Sequence, residues 1–598
     1  MAKNFTELAN FIWQVADLLR GDYKQADYGK VILPFTLLRR LDCVLESTKD
    51  DVLKEHDKRK SEGVNLETFL KRKSKQSFYN TSPFTVPGLL ADPGNILKNL
   101  TAYVSDFSTD ARDVFERFKF TAQIADLDDK NLLYLIVQKF ATVDLHPDEV
   151  PNETMGLLFE ELIRKFAELS NETAGEHFTP REVVKLIVQC LFAGDDEALT
   201  KPGVVRSLYD PTAGTGGILS AGQTEALDIN KSAKIVLFGQ ELNPESYAIC
   251  KADMLVKGQD PKNIVYGNTL SEDGFANEKF DYQAANPPFG VDWKKVKDAV
   301  EAEHKKKGFG GRFGPGLPRI SDGSMLFLMH LISKMRPASE GGGRVGLVLN
   351  GSPLFTGDAG SGESEIRRWI LESDMLDAII ALPNDLFYNT GIATYIWLLD
   401  NNKPAHRKDK VQLIDATRMY AKMKKSLGNK RVYLTEDQIT EIVQVYSGNA
   451  DKAVFEREFK TGESDAEQRV VSKIFDAKFF GYRKVTVDRP PQAGKEVTVK
   501  LKKGQKPYDP ELRDTESIPL TDSIAAYMKR EVLPHVPDAF VNEDVKDEKD
   551  GQVGKVGYEI NFNRYFYVYK PPRAPHVIAE EIREMEKRFL ELMKGVVA

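Results

Sequence analysis

Phe280-Asp281-Tyr282-Gln283-Ala284-Ala285-Asn286-Pro287-Pro288-Phe289 begins as a buried strand and ends in a stiff polar turn. A short, mostly apolar run closed by prolines predicts a strand whose carboxyl end carries the turn, where open α/β sheets place their ligands. Two consecutive prolines stiffen the backbone and remove two N–H donors. What remains is rich in acceptors. The Asn286 side-chain oxygen and nearby main-chain carbonyls can each take a hydrogen from an amino group, and Phe289 offers a flat face to the ring that bears it. Standing alone, four residues are a weak motif, because a Pro-rich turn ending a strand has the same letters.

Outward from this turn, short β-branched runs alternate with helical stretches: Ser207 to Tyr209, Ile235 to Gly239, Ile264 to Tyr266, Arg344 to Asn350, Ala378 to Leu382 and Tyr395 to Leu399. That alternation predicts a mostly parallel, doubly wound, Rossmann-like α/β domain over residues 146–470. Ahead of it, apolar residues recur at helical spacing in Leu8, Phe11, Ile12, Val15, Leu18 and Leu19, then in Val31, Ile32, Phe35, Leu38 and Leu41, and again from Ile124 to Phe140. Residues 1–145 therefore read as a helical domain, with a charged, solvated stretch from Asp50 to Lys75. His146 to Pro151 reads as a linker, followed by a helix from Thr154 to Leu169. Residues 471–598 form a C-terminal region with a basic, Pro-punctuated stretch from Arg489 to Lys506, a charged loop from Asn542 to Lys555 and an aromatic cluster from Phe562 to Tyr567. It ends in a long charged helix from about His576 to Met593. The stripe Ile578, Ile582, Met585, Phe589 and Leu592 suits packing on a partner or folding back onto its own domain.

Composition sets outer bounds. With 598 residues, 41% hydrophobic and 29% charged, the chain has the make-up of a multidomain soluble protein. No apolar run is long enough to span a bilayer, and the amino terminus lacks the regions of a signal peptide, so a cytoplasmic location is expected. Cys43, Cys190 and Cys250 are an odd set without CxxC spacing, which indicates neither a disulfide framework nor a zinc site. A net charge of −7 argues against gripping nucleic acid with the whole surface and leaves room for a local basic face.

The second motif is Asp210-Pro211-Thr212-Ala213-Gly214-Thr215-Gly216-Gly217, which follows the first strand and opens a helix. Its glycines let the backbone approach a ligand closely. The spacing is not GxGxxG, and no GxxxxGK[ST] phosphate loop occurs, so a pyrophosphate cradle is not favoured. Asp210 suits an ammonium group. Glu241, at the end of the second strand in Gly239-Gln240-Glu241-Leu242-Asn243, is placed to accept both hydroxyls of a ribose. Thr179 before Pro180 reads as an N-cap of the helix Glu182 to Cys190, whose start can offer N–H groups and a hydroxyl to a carboxylate. His177, a single histidine without acidic or cysteine companions, reads as structural rather than as a metal ligand. Asn268, in Tyr266-Gly267-Asn268-Thr269-Leu270, falls at the end of the third strand, with a turn role as its simplest reading. The Lys- and Gly-rich segment from Trp293 to Arg319 reads either as a mobile basic loop that contacts phosphates or as a disordered insertion.

Taken together, Gly175 to Val183 (GEHFTPREV), Asp210 to Gly217, Gln240 to Asn243, Gly267 to Leu270 and Asn286 to Gly290 (NPPFG) resemble class I S-adenosylmethionine-dependent DNA amino-methyltransferases. The likeness is greatest to the modification (M) subunits of type I restriction-modification systems and extends into both flanks, including Phe11 to Leu19, Tyr28 to Asp42, Asp476 to Tyr482 and Gly557 to Ile560. It implies S-adenosylmethionine as cofactor, held by Glu176, His177, Phe178, Thr179, Pro180, Arg181, Asp210, Ala213, Gly214, Thr215, Gly216, Gly217, Glu241 and Asn268, with no metal. It implies that Asn286, Pro287, Pro288 and Phe289 act on N6 of an adenine flipped from double-stranded DNA. The implied partners are a specificity (S) subunit that reads the sequence, a second M subunit and a restriction (R) subunit. One departure is Asn268, where many relatives carry an acid. N4-cytosine methylation, protein-glutamine methylation and a non-catalytic assembly role are the alternatives.

Overall fold

The structure of the chain is a computed structural model that describes residues 5–152, 154–156, 158–159, 162, 165, 179–193, 195, 199–257, 259–388, 390–448, 454–460, 466–491, 505–567 and 574–594. Residues Met1–Ile560 form one compact unit and Asn561–Ala598 a second.

The first unit is organised by one large sheet. Its strands are β1 (Val205–Asp210), β2 (Lys234–Glu241), β3 (Ile264–Tyr266), β4 (Tyr282–Ala285), β5 (Arg344–Asn350), β6 (Leu376–Ala381), β7 (Thr394–Asp400), β8 (Lys410–Asp415), β11 (Val454–Lys460) and β12 (Ala466–Asp476), while β9 (Ala421–Leu427) and β10 (Lys430–Tyr433) make a separate hairpin. The order is β11-β12-β8-β6-β7-β5-β4-β1-β2-β3. β1 pairs in parallel with β2 on one side and β4 on the other, so the chain winds both ways from β1 and leaves a switch point at the carboxyl ends of β1 and β4. All four residues of β4 are buried, as a strand covered on both faces requires.

The sheet is less parallel than the alternation predicts. β7 lies antiparallel between β5 and β6, and at the far edge β12 pairs antiparallel with β8 and β11 antiparallel with β12. β6 reaches β7 without an intervening helix, and a connection that short suits antiparallel pairing, whereas parallel neighbours need a longer crossover. Because β12 runs from Ala466 to Asp476, the sheet continues past residue 470.

Eight α-helices lie between Phe5 and Ala141 among the described residues, from Phe5–Leu19 and Tyr28–Leu45 to Phe120–Asp129 and Leu133–Ala141. Phe35 anchors them, with its ring 4.9 Å from Phe120 and 5.5 Å from Phe140. The stretch from Asp50 to Lys75 is largely helical too, in Lys49–Arg59 and Glu67–Ser74, with Val52 and Leu70 buried and most charges outward. This apolar core continues into Ala248, Ile249, Ala252 and Leu255 of the Pro244–Val256 helix, which also packs on the sheet. Lys251, buried on that helix, donates to Asp113 at 2.9 Å. The helical region is thus packed directly against the α/β core.

A second, four-stranded sheet is centred on β13 (Gly481–Asp488), which pairs antiparallel with β14 (Asp514–Pro519), β15 (Phe540–Val541) and β16 (Lys555–Tyr558). The loop from Asn542 to Lys555 is pinned rather than free: Arg368 donates to both oxygens of buried Asp547 at 3.0 Å. The basic stretch from Arg489 to Lys506 lies mostly outside the described residues. The second compact unit carries the helix Pro575–Lys594, on which Met585, Phe589 and Leu592 are more than 60% exposed. None of the described helices is long and apolar enough to cross a membrane.

Candidate functional site

Four consecutive strand ends converge on one cavity. Asp210 closes β1, Glu241 closes β2, Gly267 and Asn268 follow β3, and Asn286 follows β4; all line a cavity of about 480 Å³ together with Thr179, Ala213, Gly214, Thr215, Gly217 and Pro288. That volume lies in the ordinary range of small-molecule sites. The opening sits at the switch point between β1 and β4.

The glycine turn shapes its floor. Gly214 and Gly216 have φ of +53° and +87°, a left-handed backbone that a side chain strains. Gly216 is also packed: a Cβ there would meet Cys250 Sγ at 3.0 Å. Ala213 N–H donates to the Gln240 carbonyl at 3.0 Å, tying the turn to β2. Glu241 is held by main-chain donors at both ends, Gly214 N–H to Oε2 at 2.8 Å and Asn243 N–H to Oε1 at 2.7 Å. Each oxygen keeps a second lone pair, so a fixed carboxylate faces the cavity with two acceptors.

Asp210 is almost fully buried, and burial pushes its carboxyl up to about 8, with the neighbouring Glu241 charge acting in the same direction. Thr212 opposes this by donating N–H to Oδ1 at 2.9 Å. Among the described residues no Lys or Arg pairs with Asp210, so its charged form lacks a cation. A ligand ammonium supplies one. Asn268 Oδ1 accepts from Leu270 N–H at 3.0 Å, an Asx turn that leaves one lone pair and the amide N–H groups beside the cavity.

Asn286 is the group in the cavity with an unmet need. Its Nδ2 donates to Thr179 Oγ1 at 3.0 Å, and its Oδ1 is buried without a partner. Buried acceptors are rarely left unpaired, because desolvation without a hydrogen bond costs about 1–3 kcal/mol. Pro287 is buried. Phe289 is not among the residues that line this cavity; its ring lies 5.9 Å from Phe387 in an edge-on arrangement. Asn286 and Pro288 thus face one chamber while Phe289 and Phe387 form an aromatic corner next to it.

Several expectations are corrected in position. Thr179 is not the N-cap: Pro180, extended at φ −54° and ψ 137°, holds that position, and the helix begins at Arg181 and runs to Phe192. The Thr179 hydroxyl instead accepts the Asn286 amide. Arg181 lines an adjoining cavity of about 450 Å³ that shares Thr179, Thr215 and Gly217 with the first. Glu176, His177 and Phe178 lie outside the described residues, as does much of the helix expected from Thr154 to Leu169. The segment from Trp293 to Arg319 is neither a mobile loop nor a disordered insertion. It contains the helix Lys297–Lys307, and Trp293 is buried with its indole N–H donated to the Arg319 carbonyl at 2.9 Å.

Two contributors are absent from the sequence reading. Arg312 donates to Glu303 at 2.7 Å, to the Thr269 and Leu270 carbonyls at 2.7 and 2.9 Å, and to His330 Nδ1 at 3.2 Å. His330 is fully buried, and burial together with the Arg312 and Lys334 charges holds it neutral. With Nδ1 accepting, its proton sits on Nε2, 3.0 Å from the Tyr209 hydroxyl. Thr269 completes the brace by donating to the Pro211 carbonyl at 2.6 Å. Phe387 is the other. The only hint of it is the pair Phe387-Tyr388 ahead of Thr390-Gly391, after a predicted strand.

Among the described residues no group of three or more His, Cys, Asp or Glu is arranged to hold a metal. A doubly wound sheet, a braced glycine turn and an unpaired amide oxygen after β4 define a methyltransferase of the α/β class. Residues 151–469 match the family model described as N-6 DNA Methylase, and residues 8–140 match the HsdM N-terminal domain. The first match covers more than half of the chain, which belongs to the N-6 DNA methylase family. Similar proteins include the type I restriction enzyme MjaIX methylase subunit of Methanocaldococcus jannaschii, 26% identical over 482 residues, 77% of this chain and 78% of that one. The type I restriction enzyme MpnII methylase subunit of Mycoplasma pneumoniae is 22% identical over 501 residues, 76% of this chain and 87% of that one. The crystal structure of a type I restriction-modification methyltransferase subunit from Streptococcus thermophilus shares the fold, with a TM-score of 0.58 at 24% identity, over 74% of this chain and 93% of that one.

Proposed function

We propose that the chain transfers a methyl group from S-adenosylmethionine to N6 of adenine in double-stranded DNA, as the methyltransferase subunit of a type I restriction-modification complex. The observation that carries this reading is the buried, unpartnered Oδ1 of Asn286, a residue that lines the cavity and whose amide nitrogen is held by Thr179. When bound, S-adenosylmethionine supplies a methyl group on a positively charged sulfur. The chain does the rest. Asp210 would hold the ammonium, Glu241 the ribose hydroxyls and Asn268 the adenine end of the cofactor. Thr179 lines both cavities and Arg181 the adjoining one, and Glu176, His177, Phe178 and Pro180 are proposed to contribute with them.

On the substrate side, the flipped adenine stacks on Phe289 with Phe387 at its edge. Its two N6 hydrogens go to Asn286 Oδ1 and the Pro287 carbonyl. These acceptors draw the nitrogen lone pair out of ring conjugation, so orientation and electrostatics lower the barrier. No general base is required before transfer, since the departing proton becomes acidic once the nitrogen is methylated. His330, buried and neutral, is locked in the Arg312 brace.

In the proposed complex a separate S subunit reads the sequence, a second M subunit completes the methyltransferase, and an R subunit joins for cleavage. The exposed stripe of the Pro575–Lys594 helix serves that assembly, and the complex works in the cytoplasm. The test is to purify the chain with its neighbouring-gene products, supply labelled cofactor and identify the modified base. N6-methyladenine is expected; label on cytosine N4 or on a protein glutamine would overturn the reading.

A further inference from the structure

One strongly charged element plays no part in the site as described. From Thr417 to Leu434 the sequence holds Arg418, Lys422, Lys424, Lys425, Lys430 and Arg431 and no acid, in a chain whose net charge is −7. This stretch contains the β9–β10 hairpin, a two-stranded ribbon apart from the large sheet. Lys422 and Lys424 lie on one exposed face of β9, and Lys425 and Arg431 are exposed as well. No described acid pairs with Lys424 or Lys425. The helix Lys297–Lys307 is also lysine-rich, but Asp298, Glu301 and Glu303 offset its charge.

The ribbon is fastened to the aromatic corner. Asn429 N–H donates to the Tyr388 carbonyl at 2.9 Å, and Arg431 N–H donates to the Asp385 carbonyl at 2.8 Å. Gly428, at φ +59°, sits so close that a Cβ would meet the Tyr388 oxygen at 2.6 Å. Lys430 is buried, donating to the Leu386 carbonyl at 2.8 Å and pairing with Glu182 on the Arg181–Phe192 helix. These bonds bracket Phe387, whose ring meets Phe289. Met419, Val432 and Leu434 anchor the base of the ribbon in the main core. A rigid cationic arm therefore stands one residue from the aromatic corner.

Resting on the proposed DNA substrate, we infer that the β9–β10 hairpin is a phosphate-contacting arm that grips the duplex beside the flipped base. A polyanion is the partner that exposed Lys424, Lys425 and Arg431 fit, and tethering to the Phe387 loop puts its backbone next to the target nucleotide.

The test uses the full chain co-purified with its S subunit. Wild type is compared with a variant carrying Lys424→Ala, Lys425→Ala and Arg431→Ala, and with an arginine variant carrying Lys424→Arg and Lys425→Arg. Affinity for a labelled duplex is measured across salt concentrations, alongside S-adenosylmethionine affinity and subunit assembly. The alanine variant is expected to flatten the slope of log affinity against log salt by about 2–3, near 0.9 per lost phosphate contact, with cofactor affinity unchanged. The arginine variant is expected to keep the wild-type slope. An unchanged slope in the alanine variant overturns the inference, as does loss of subunit assembly with DNA affinity intact, which would assign the arm to an acidic protein surface. A wild-type complex that fails to methylate adenine counts against the functional reading instead, whatever the slope does.

Discussion

The Asn286 amide nitrogen donates to the Thr179 hydroxyl at 3.0 Å, a bond that joins the turn after β4 to the residue two before the Arg181–Phe192 helix. It fixes which end of the amide faces the substrate. With Nδ2 committed, Oδ1 is the free acceptor, and the amide need not reorganise when the base arrives. Thr179→Val removes the acceptor while nearly preserving shape. It is expected to lower kcat by up to about 10²-fold, the scale of a small misplacement at a reacting centre, with DNA affinity unchanged. Single-turnover methylation and duplex binding measured on the same preparation check this split.

Asp210 predicts an unusual pH dependence. Its carboxyl is raised to about 8 in the fold, against about 3.9 in an unfolded chain. A raised carboxyl contributes stability that is fully present below about pH 4 and is lost as pH rises through about 8. The ligand-free chain is therefore expected to lose this contribution over that interval, and S-adenosylmethionine is expected to restore it by supplying a cation. At pH 6.5 cofactor binding is expected to release close to one proton, readable by calorimetry in buffers of different ionisation enthalpy. Asp210→Asn removes both the proton release and the pH dependence of the cofactor's stabilising effect.

Gly216 tests the turn. Alanine there must hold a left-handed backbone, at a cost of about 1–2 kcal/mol, and must push Cys250 Sγ away from 3.0 Å. Gly216→Ala is expected to lower the melting temperature and to weaken cofactor binding at least tenfold. Thermal unfolding with and without cofactor separates the two effects.

Arg312 ties Glu303, the loop at Thr269 and Leu270, and His330 into one brace. Lysine is a point charge without a planar fork and cannot serve all of these acceptors. Because the brace holds the loop that carries Asn268, Arg312→Lys is expected to raise KM for S-adenosylmethionine about tenfold and to leave kcat within about twofold. Steady-state kinetics at saturating DNA provide the readout.

Much of this arrangement is legible in the sequence because strand ends and motifs coincide. Asp210, Glu241, Asn268 and Asn286 each close a short, mostly apolar run ended by turn chemistry, and the four meet at one cavity. Strand direction was harder to read: β7 carries the same apolar pattern whether parallel or antiparallel, since burial on both faces erases the distinction. The cap is ambiguous in sequence because Ser/Thr-Pro before a helix suits N-cap and N′ positions alike, and only the backbone angles of Pro180 decide. Lysines and glycines from Trp293 to Arg319 masked an ordered segment, whose order comes from Arg312 and Trp293 finding partners remote in sequence. Phe387 carries no local signal of its role, which exists only through its contact with Phe289.

The most direct test of the central claim is methyl transfer to DNA adenine by the co-purified complex carrying Asn286→Ala. Labelled N6-methyladenine is expected to fall below detection while subunit assembly and cofactor binding stay at wild-type levels. Retention of near wild-type adenine methylation by that complex would contradict the role assigned to Asn286.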